Sequence, residues 1–201
     1  MEWRKVSVIL PTIEEKAAFG IIDEIRKLMP GSEIIVVDKS GEEYKKRIRA
    51  KGVTLVSQKS KGYENALMEG FASAHGSLLA TIDPDGTYEP EDLRKVVEAM
   101  VDQDADMVLG NRNLAGIYNT LHKSKLHDVM PGIFAMRRQV FEAIREVEPY
   151  RAGTLFFIME ASKKGYNKMI DVPINYHERP EGTDSKLAKS KVVYGMGVAG
   201  H

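Results

Sequence analysis

Five short apolar runs, at residues 6–10, 33–38, 53–57, 77–82 and 107–110, alternate with stretches whose apolar side chains recur at helical spacing. That rhythm limits the fold more than any other feature. A short apolar run bounded by turn formers reads as a strand buried on both faces, and such strands return to one sheet through amphipathic crossover helices. Ala18, Ile21, Ile22, Ile25, Leu28 and Met29 mark the first helical stripe, stopped by Pro30 and Gly31. A charged helix is predicted over 42–51. Tyr63, Ala66, Leu67, Gly70, Phe71 and Ala74 mark a third helix, ended by His75 and Gly76, and Leu93, Val96, Val97, Met100 and Val101 a fourth that opens on Pro90. The pattern predicts an α/β fold with a doubly wound, mainly parallel sheet and ligands above the carboxyl ends of its strands. Pro11, Thr12, Asp38, Asp83, Asp85, Asn111 and Arg112 stand at those ends.

The second half is less regular. Residues 111–127 have no period and read as a loop; strands are predicted at 133–136 and 169–176, and helices at 138–147 and 154–164. With 201 residues, 43% of them hydrophobic, and no Pro/Gly/Ser-rich linker, one domain over 1–187 is expected, followed by a flexible tail at 188–201. The chain has no cysteine, which excludes disulfides and cysteine-bound zinc. Met1 runs almost directly into the first strand, with no leader, and no apolar stretch nears the roughly 18 residues of a membrane helix, so a soluble protein is expected. Net charge is zero but uneven: residues 1–110 carry 15 Lys and Arg against 20 Asp and Glu, and residues 111–201 carry 14 against 9. A basic second half suits an anionic partner such as a phosphate or an acidic membrane face. No nucleic-acid partner is expected.

The apolar run at 77–82 breaks into Asp83-Pro84-Asp85-Gly86-Thr87. Two carboxylates one residue apart at a sheet edge suit a hard divalent cation and the phosphates of a nucleotide. The same string also resembles the opening motif of haloacid dehalogenase-type phosphatases, in which the first Asp is a nucleophile. That motif belongs on a first strand. Here four predicted strands have passed, and no acidic pair closes a later one.

A second resemblance holds at several points. VSVILPTIEE at 6–15, EIIVVDKS at 33–40, KGYENALMEGFASAHGSLLATIDPDG at 61–86, ADMVLGNR at 105–112, the Asp128, Gly132, Ala135 and Arg137 of DVMPGIFAMRR, and RPEGTDSKL at 179–187 together resemble the family 2 glycosyltransferases of the GT-A fold. Within them the likeness is to the dolichyl-phosphate mannose or glucose synthases. The resemblance implies a nucleotide-binding half at 1–110 and an acceptor half at 111–187. It implies a nucleotide sugar donor, of GDP or UDP type, held by Pro11, Thr12, Glu14, Asp38, Lys61, Gly62, Asp83, Pro84 and Asp85. It further implies Mg²⁺ or Mn²⁺, with Asp85 in direct contact and Asp83 on ribose or sugar or reaching the metal through water. The reaction implied is a single in-line displacement with inversion.

Acceptor chemistry stays open between two cases. An anionic polyprenyl phosphate needs no strong base, only cations, for which Arg112, Arg137, Arg179 and Lys186 are candidates. A sugar hydroxyl needs a base, and Asp128 is the candidate. The lipid acceptor implies a cytoplasmic protein with peripheral contact at the inner face of the cell membrane. His122 and His127 stand five apart, which matches no compact metal pair, and read as loop residues. The chain departs from the family pattern at Ile13 and Glu14 in the first loop, Lys39 after Asp38, Thr87 after the paired acids, and Pro131. A non-catalytic nucleotide- or partner-binding module on the same fold is the alternative function.

Overall fold

The computed structural model describes residues 1–112, 126 and 128–178. Seven strands form one sheet: β1 (Val6–Thr12), β2 (Glu33–Asp38), β3 (Thr54–Ser57), β4 (Leu78–Ile82), β5 (Met107–Asn111), β6 (Ile133–Arg137) and β7 (Met169–Pro173). Their order is β3-β2-β1-β4-β6-β5-β7. Six strands run one way; β6 is antiparallel to both β4 and β5. The strand order turns at β1 and β4, the place where an open α/β sheet leaves a crevice beyond its carboxyl edge.

Among the described residues six α-helices cover the two faces: α1 (Ala18–Leu28), α2 (Glu42–Ala50), α3 (Tyr63–Ser73), α4 (Pro90–Asp102), α5 (Arg138–Ile144) and α6 (Thr154–Lys163). Strand side chains divide with a period of two. Val8, Leu10, Ile34, Val36, Ala80, Ile82, Val108 and Ala135 pack with the stripes of α1, α2 and α4. Ile9, Ile35, Val37, Leu79, Met107, Leu109, Phe134 and Met136 pack with α3, α5 and α6. This two-sided burial explains why the runs read as continuously apolar.

Three boundaries differ from expectation by two residues or more. β1 extends through Pro11 to Thr12, because Thr12 still pairs with Asp38 in the β1–β2 register. α5 ends at Ile144 instead of 147, and β7 ends at Pro173 instead of 176. Ile174 N–H still reaches Asn111 O at the end of β5, at 3.0 Å, and beyond it the backbone leaves the sheet, His177 N–H reaching Thr87 O at 2.9 Å. Asn175 N–H donates to the fully enclosed carboxylate of Asp92 at 2.8 Å. The segment after β7 is thereby drawn across the start of α4, toward the loop that carries the paired aspartates. Among the described residues no helix is long and apolar enough to cross a membrane.

Candidate functional site

The carboxyl rim is built where β1, β2 and β4 end. Thr12 is 3% exposed and donates its hydroxyl to Asp38 Oδ1 at 2.7 Å, joining the tips of β1 and β2. Asp38 Oδ1 also accepts from the Ser40 hydroxyl at 2.6 Å, and Oδ2 from Ser40 N–H at 2.8 Å. The carboxylate is fully enclosed. These bonds lock the ends of β1 and β2 together. The side chain does not cap α2, whose N-cap is Gly41. Asp38 bonds the backbone two residues on, as Asx turns do. Pro11 is half-buried at the end of β1. Glu14 is exposed in a left-handed conformation, φ 54, with its N–H on Ser40 Oγ at 2.7 Å.

On the neighbouring loop, Lys61 and Gly62 are exposed in front of α3. Gly62 has φ 111 and ψ 156, a region open only to glycine. The loop is tied down by its own side chains. Gln58 donates to the carbonyls of Ser60 and Gly62, Asn65 to Lys61 O, and Glu69 accepts the N–H groups of Lys59 and Ser60. Lys61 is thus carried on an ordered backbone at a helix N-terminus, a favourable setting for phosphate.

Asp83 follows β4 directly, its N–H bonded to Gly132 O at 2.9 Å. Asp83 and Asp85 are both half-buried, and Pro84 between them is buried. Gly132 lies against the Asp83 carboxylate so closely that a Cβ there would stand 2.3 Å from Oδ2 and 2.6 Å from the Tyr88 ring. Asp85 Oδ1 accepts both the N–H of Thr87, at 3.0 Å, and its hydroxyl, at 2.6 Å. Thr87, a departure from the family pattern, is the side chain that orients Asp85. Burial, and then the nearby Asp83 charge, hold the Tyr63 phenol well above its ordinary pKa.

Arg112 and Asp128 meet beside this pair. Arg112 Nε donates to Asp128 Oδ2 at 2.6 Å and Nη2 to Oδ1 at 3.1 Å, a bidentate pair. Asp128, 7% exposed, also accepts the N–H groups of Arg112 and Met130. Burial alone would lower the Arg112 pKa; the Asp128 carboxylate and the Tyr88 hydroxyl outweigh it, so the guanidinium is held charged above its usual range. Its Nη1 reaches Tyr88 Oη at 3.4 Å, and its centre lies 5.4 Å from the Tyr176 ring. The Tyr88 hydroxyl accepts the Gly132 N–H at 2.9 Å, and the Tyr88 and Tyr176 rings meet at 5.3 Å.

Asp83, Asp85, Arg112 and Asp128 are therefore brought to one rim. Arg137 is not. Because β6 runs backward, its last residue lies at the opposite edge, where Arg137 Nη2 binds Asp104 at 2.6 Å and Nε binds Ala105 O at 2.9 Å. A groove of about 510 Å³ at that edge, lined by Ser77, Arg137, Arg138, Gln139 and Glu142, has both arginines already engaged within the protein. Arg179, Lys186, His122 and His127 lie outside the described residues, as does the expected tail at 188–201. Sequence reading missed Tyr88 and Tyr176, which carry no periodic signal and meet only when the segment after β7 folds back over α4.

A family model for glycosyl transferase family 2 matches residues 7–158. The chain belongs to that family. A dolichol-phosphate mannosyltransferase of Pyrococcus furiosus is 29% identical, over 94% of this chain and 61% of its own length; the present chain thus spans about three fifths of that relative. A dolichyl-phosphate hexose transferase of Haloferax volcanii is 27% identical, over 87% of this chain and 83% of its own. Among solved structures, glucosyl-3-phosphoglycerate synthase from Mycobacterium tuberculosis, in complex with Mn²⁺, UDP and phosphoglyceric acid, superposes with a TM-score of 0.70 at 22% identity. It covers 88% of this chain and 72% of its own, and shows a shared fold. Family 2 membership and that fold agree with the GT-A architecture expected from the sequence. The phosphatase reading is set aside, since Asp83 follows the fourth strand of a family 2 sheet.

Proposed function

We propose that this family 2 chain transfers a hexosyl group from a nucleoside diphosphate sugar to an anionic acceptor of the polyprenyl phosphate type. The observation that supports it best is the pair Asp83 and Asp85, half-buried at the carboxyl edge beside a guanidinium that is kept charged. The donor set fits Mg²⁺ or Mn²⁺: both side chains are hard oxygen ligands, and such ions take one or two carboxylates and fill their remaining positions with water and phosphate oxygens. Bound there, the cation would neutralise charge developing on the departing diphosphate.

The remaining roles fall to the chain. Asp85, oriented by Thr87, is the metal ligand, and Asp83, walled by Gly132, contacts ribose or sugar. Pro11, Thr12, Glu14, Lys61 and Gly62 border the nucleotide. An oxygen of the acceptor phosphate attacks the anomeric carbon, the bond to the diphosphate oxygen breaks with its electrons, and the configuration inverts. That oxygen is already an anion and requires no base. Arg112 offsets repulsion between acceptor and donor, while Asp128, whose four contacts hold Arg112 and the adjacent backbone, sets its direction. Arg179 and Lys186 complete the cationic side in this reading. With such an acceptor the reaction runs at the cytoplasmic face of a membrane.

Calorimetry with GDP-mannose and UDP-glucose, with and without Mn²⁺, tests the donor side. Metal-dependent binding of one donor is expected, weakened about 100-fold or more in Asp85→Ala, together with transfer to a polyprenyl phosphate in vesicles. Donor binding without transfer to any phosphate acceptor would favour the non-catalytic module, and no binding would reject the donor site itself.

A further inference from the structure

Glu64 sits on the first turn of α3, two residues after Gly62, and is 6% exposed. Its Oε1 accepts two backbone N–H groups, from Ala152 at 2.9 Å and Gly153 at 2.7 Å. Both precede α6, and Gly153 is its N-cap. A helix start leaves donors without partners and carries a partial positive charge, so a buried carboxylate is well matched there. Gly153 adopts φ 56 and ψ −139, which brings the two amides onto one oxygen at a cost that only glycine avoids.

One residue further, Thr154 is 2% exposed and donates its hydroxyl to Pro131 O at 2.6 Å. Pro131 precedes Gly132, whose carbonyl takes the Asp83 N–H and whose Cα walls the Asp83 carboxylate. Hydrogen bonds therefore run from the first turn of α3 to the start of α6, to the 131–132 turn, and to the first of the paired aspartates. A displacement of that turn by a few tenths of an ångström has no slack to absorb it, because Gly132 is already in contact with Asp83.

We propose that Glu64 is a positioning residue for the donor site: it anchors the start of α6, which through Thr154 seats the Pro131-Gly132 turn against Asp83. Glu64 acts on Asp83 without touching substrate, and it couples the loop of Lys61 and Gly62 to the acceptor half. The inference rests on the transferase reading only for its donor-binding readout; the contacts themselves can be followed without nucleotide.

Three variants of the full chain, Glu64→Ala, Glu64→Gln and Thr154→Val, test it. In calorimetry with Mn²⁺ and whichever donor the wild type binds, Glu64→Ala and Thr154→Val should each weaken binding about tenfold, the range seen when support behind a metal or donor ligand is lost. Glu64→Gln keeps an oxygen for the same two amides and should bind like the wild type. The double variant Glu64→Ala with Thr154→Val should lose no more than either single change, since both cut one route. Amide hydrogen exchange, recorded without nucleotide, should quicken at Asp83 and Gly132 in Glu64→Ala and Thr154→Val, and not in Glu64→Gln. Exchange reads the route even in a protein that binds no sugar nucleotide, so failure of the transferase reading and failure of this one are separable. Should Glu64→Ala not fold, Thr154→Val, which exchanges one hydroxyl for a methyl, carries the test. A folded Thr154→Val with wild-type exchange at Asp83 and Gly132 overturns the proposal, as do additive losses in the double variant.

Discussion

Gly132 shows how one missing atom shapes the rim. Its contact with Asp83 and Tyr88 leaves no volume for a methyl group, and its N–H and C=O are both committed, to Tyr88 Oη and to the Asp83 N–H. In Gly132→Ala the Cβ must push either the carboxylate or the Tyr88 ring from its place. We expect metal-dependent donor affinity to fall about 10- to 100-fold, measured by calorimetry, with the circular dichroism of the folded sheet retained. Wild-type affinity in this variant would remove Asp83 from the donor site. Asp38 teaches a complementary lesson at the same scale. Asp38 stands at a strand end, where a nucleotide ligand is expected, and Thr12 and Ser40 hold its carboxylate by both oxygens. Strand-end polarity identifies which residues reach the rim, and only neighbours decide which of them face outward.

At the scale of elements, α3 lies tight against the sheet. A Cβ at Gly70 would stand 2.5 Å from Ile9 Cγ2 and 2.9 Å from Val37 Cγ2, so α3 lies directly on β1 and β2. That closeness sets where the α3 N-terminus, with Lys61 and Gly62 before it, points. Gly70→Ala should cost about 1–3 kcal/mol, since added volume in a full core displaces backbone or forces poor rotamers; chemical denaturation would measure it. A cost near zero would mean that α3 can ride outward freely. The apolar stripe of this helix was readable from Tyr63, Ala66, Leu67, Gly70, Phe71 and Ala74. The role of Gly70 within it was not, because periodicity reports which face is buried and is silent on distance. β6 gives the other case. Its apolar run was legible, but its reversed direction was not, and direction alone moves Arg137 to the far edge while bringing Gly132 to the site.

Across the whole molecule the sheet has two rims with different work. The carboxyl rim gathers the paired aspartates and Arg112. The amino rim is fastened by polar ties, among them Glu33, which accepts the Ser7 hydroxyl at 2.5 Å and the His75 N–H at 2.8 Å and faces His75 Nδ1 at 2.7 Å. Burial works against the Glu33 charge, but these hydrogen bonds prevail and hold its pKa below the ordinary carboxylate value. A group whose folded pKa is depressed stabilises the protein at neutral pH and gives that up as pH falls through the folded value. Glu33→Gln should therefore lower Tm at neutral pH and bring the variant and wild-type curves together in acid. Thermal melts across that range would show it, and parallel curves would assign Glu33 no linkage.

What the chain determined by itself were the local quantities: period-two and helical patterns, turn formers, and two acids one residue apart after an apolar run. These depend on neighbours in sequence, so strand and helix identity, the parallel sheet and the position of Asp83 and Asp85 at its carboxyl edge were readable from the residues alone. The direction of β6, the enclosure of Asp38, the clasp of Arg112 by Asp128, Tyr88 and Tyr176, and the Glu64 route were decided by tertiary structure alone. Apart from the bonds of Ser40 to Asp38, each joins residues 16 or more positions apart, and no local rule of spacing or propensity carries the packing that brings such groups into contact.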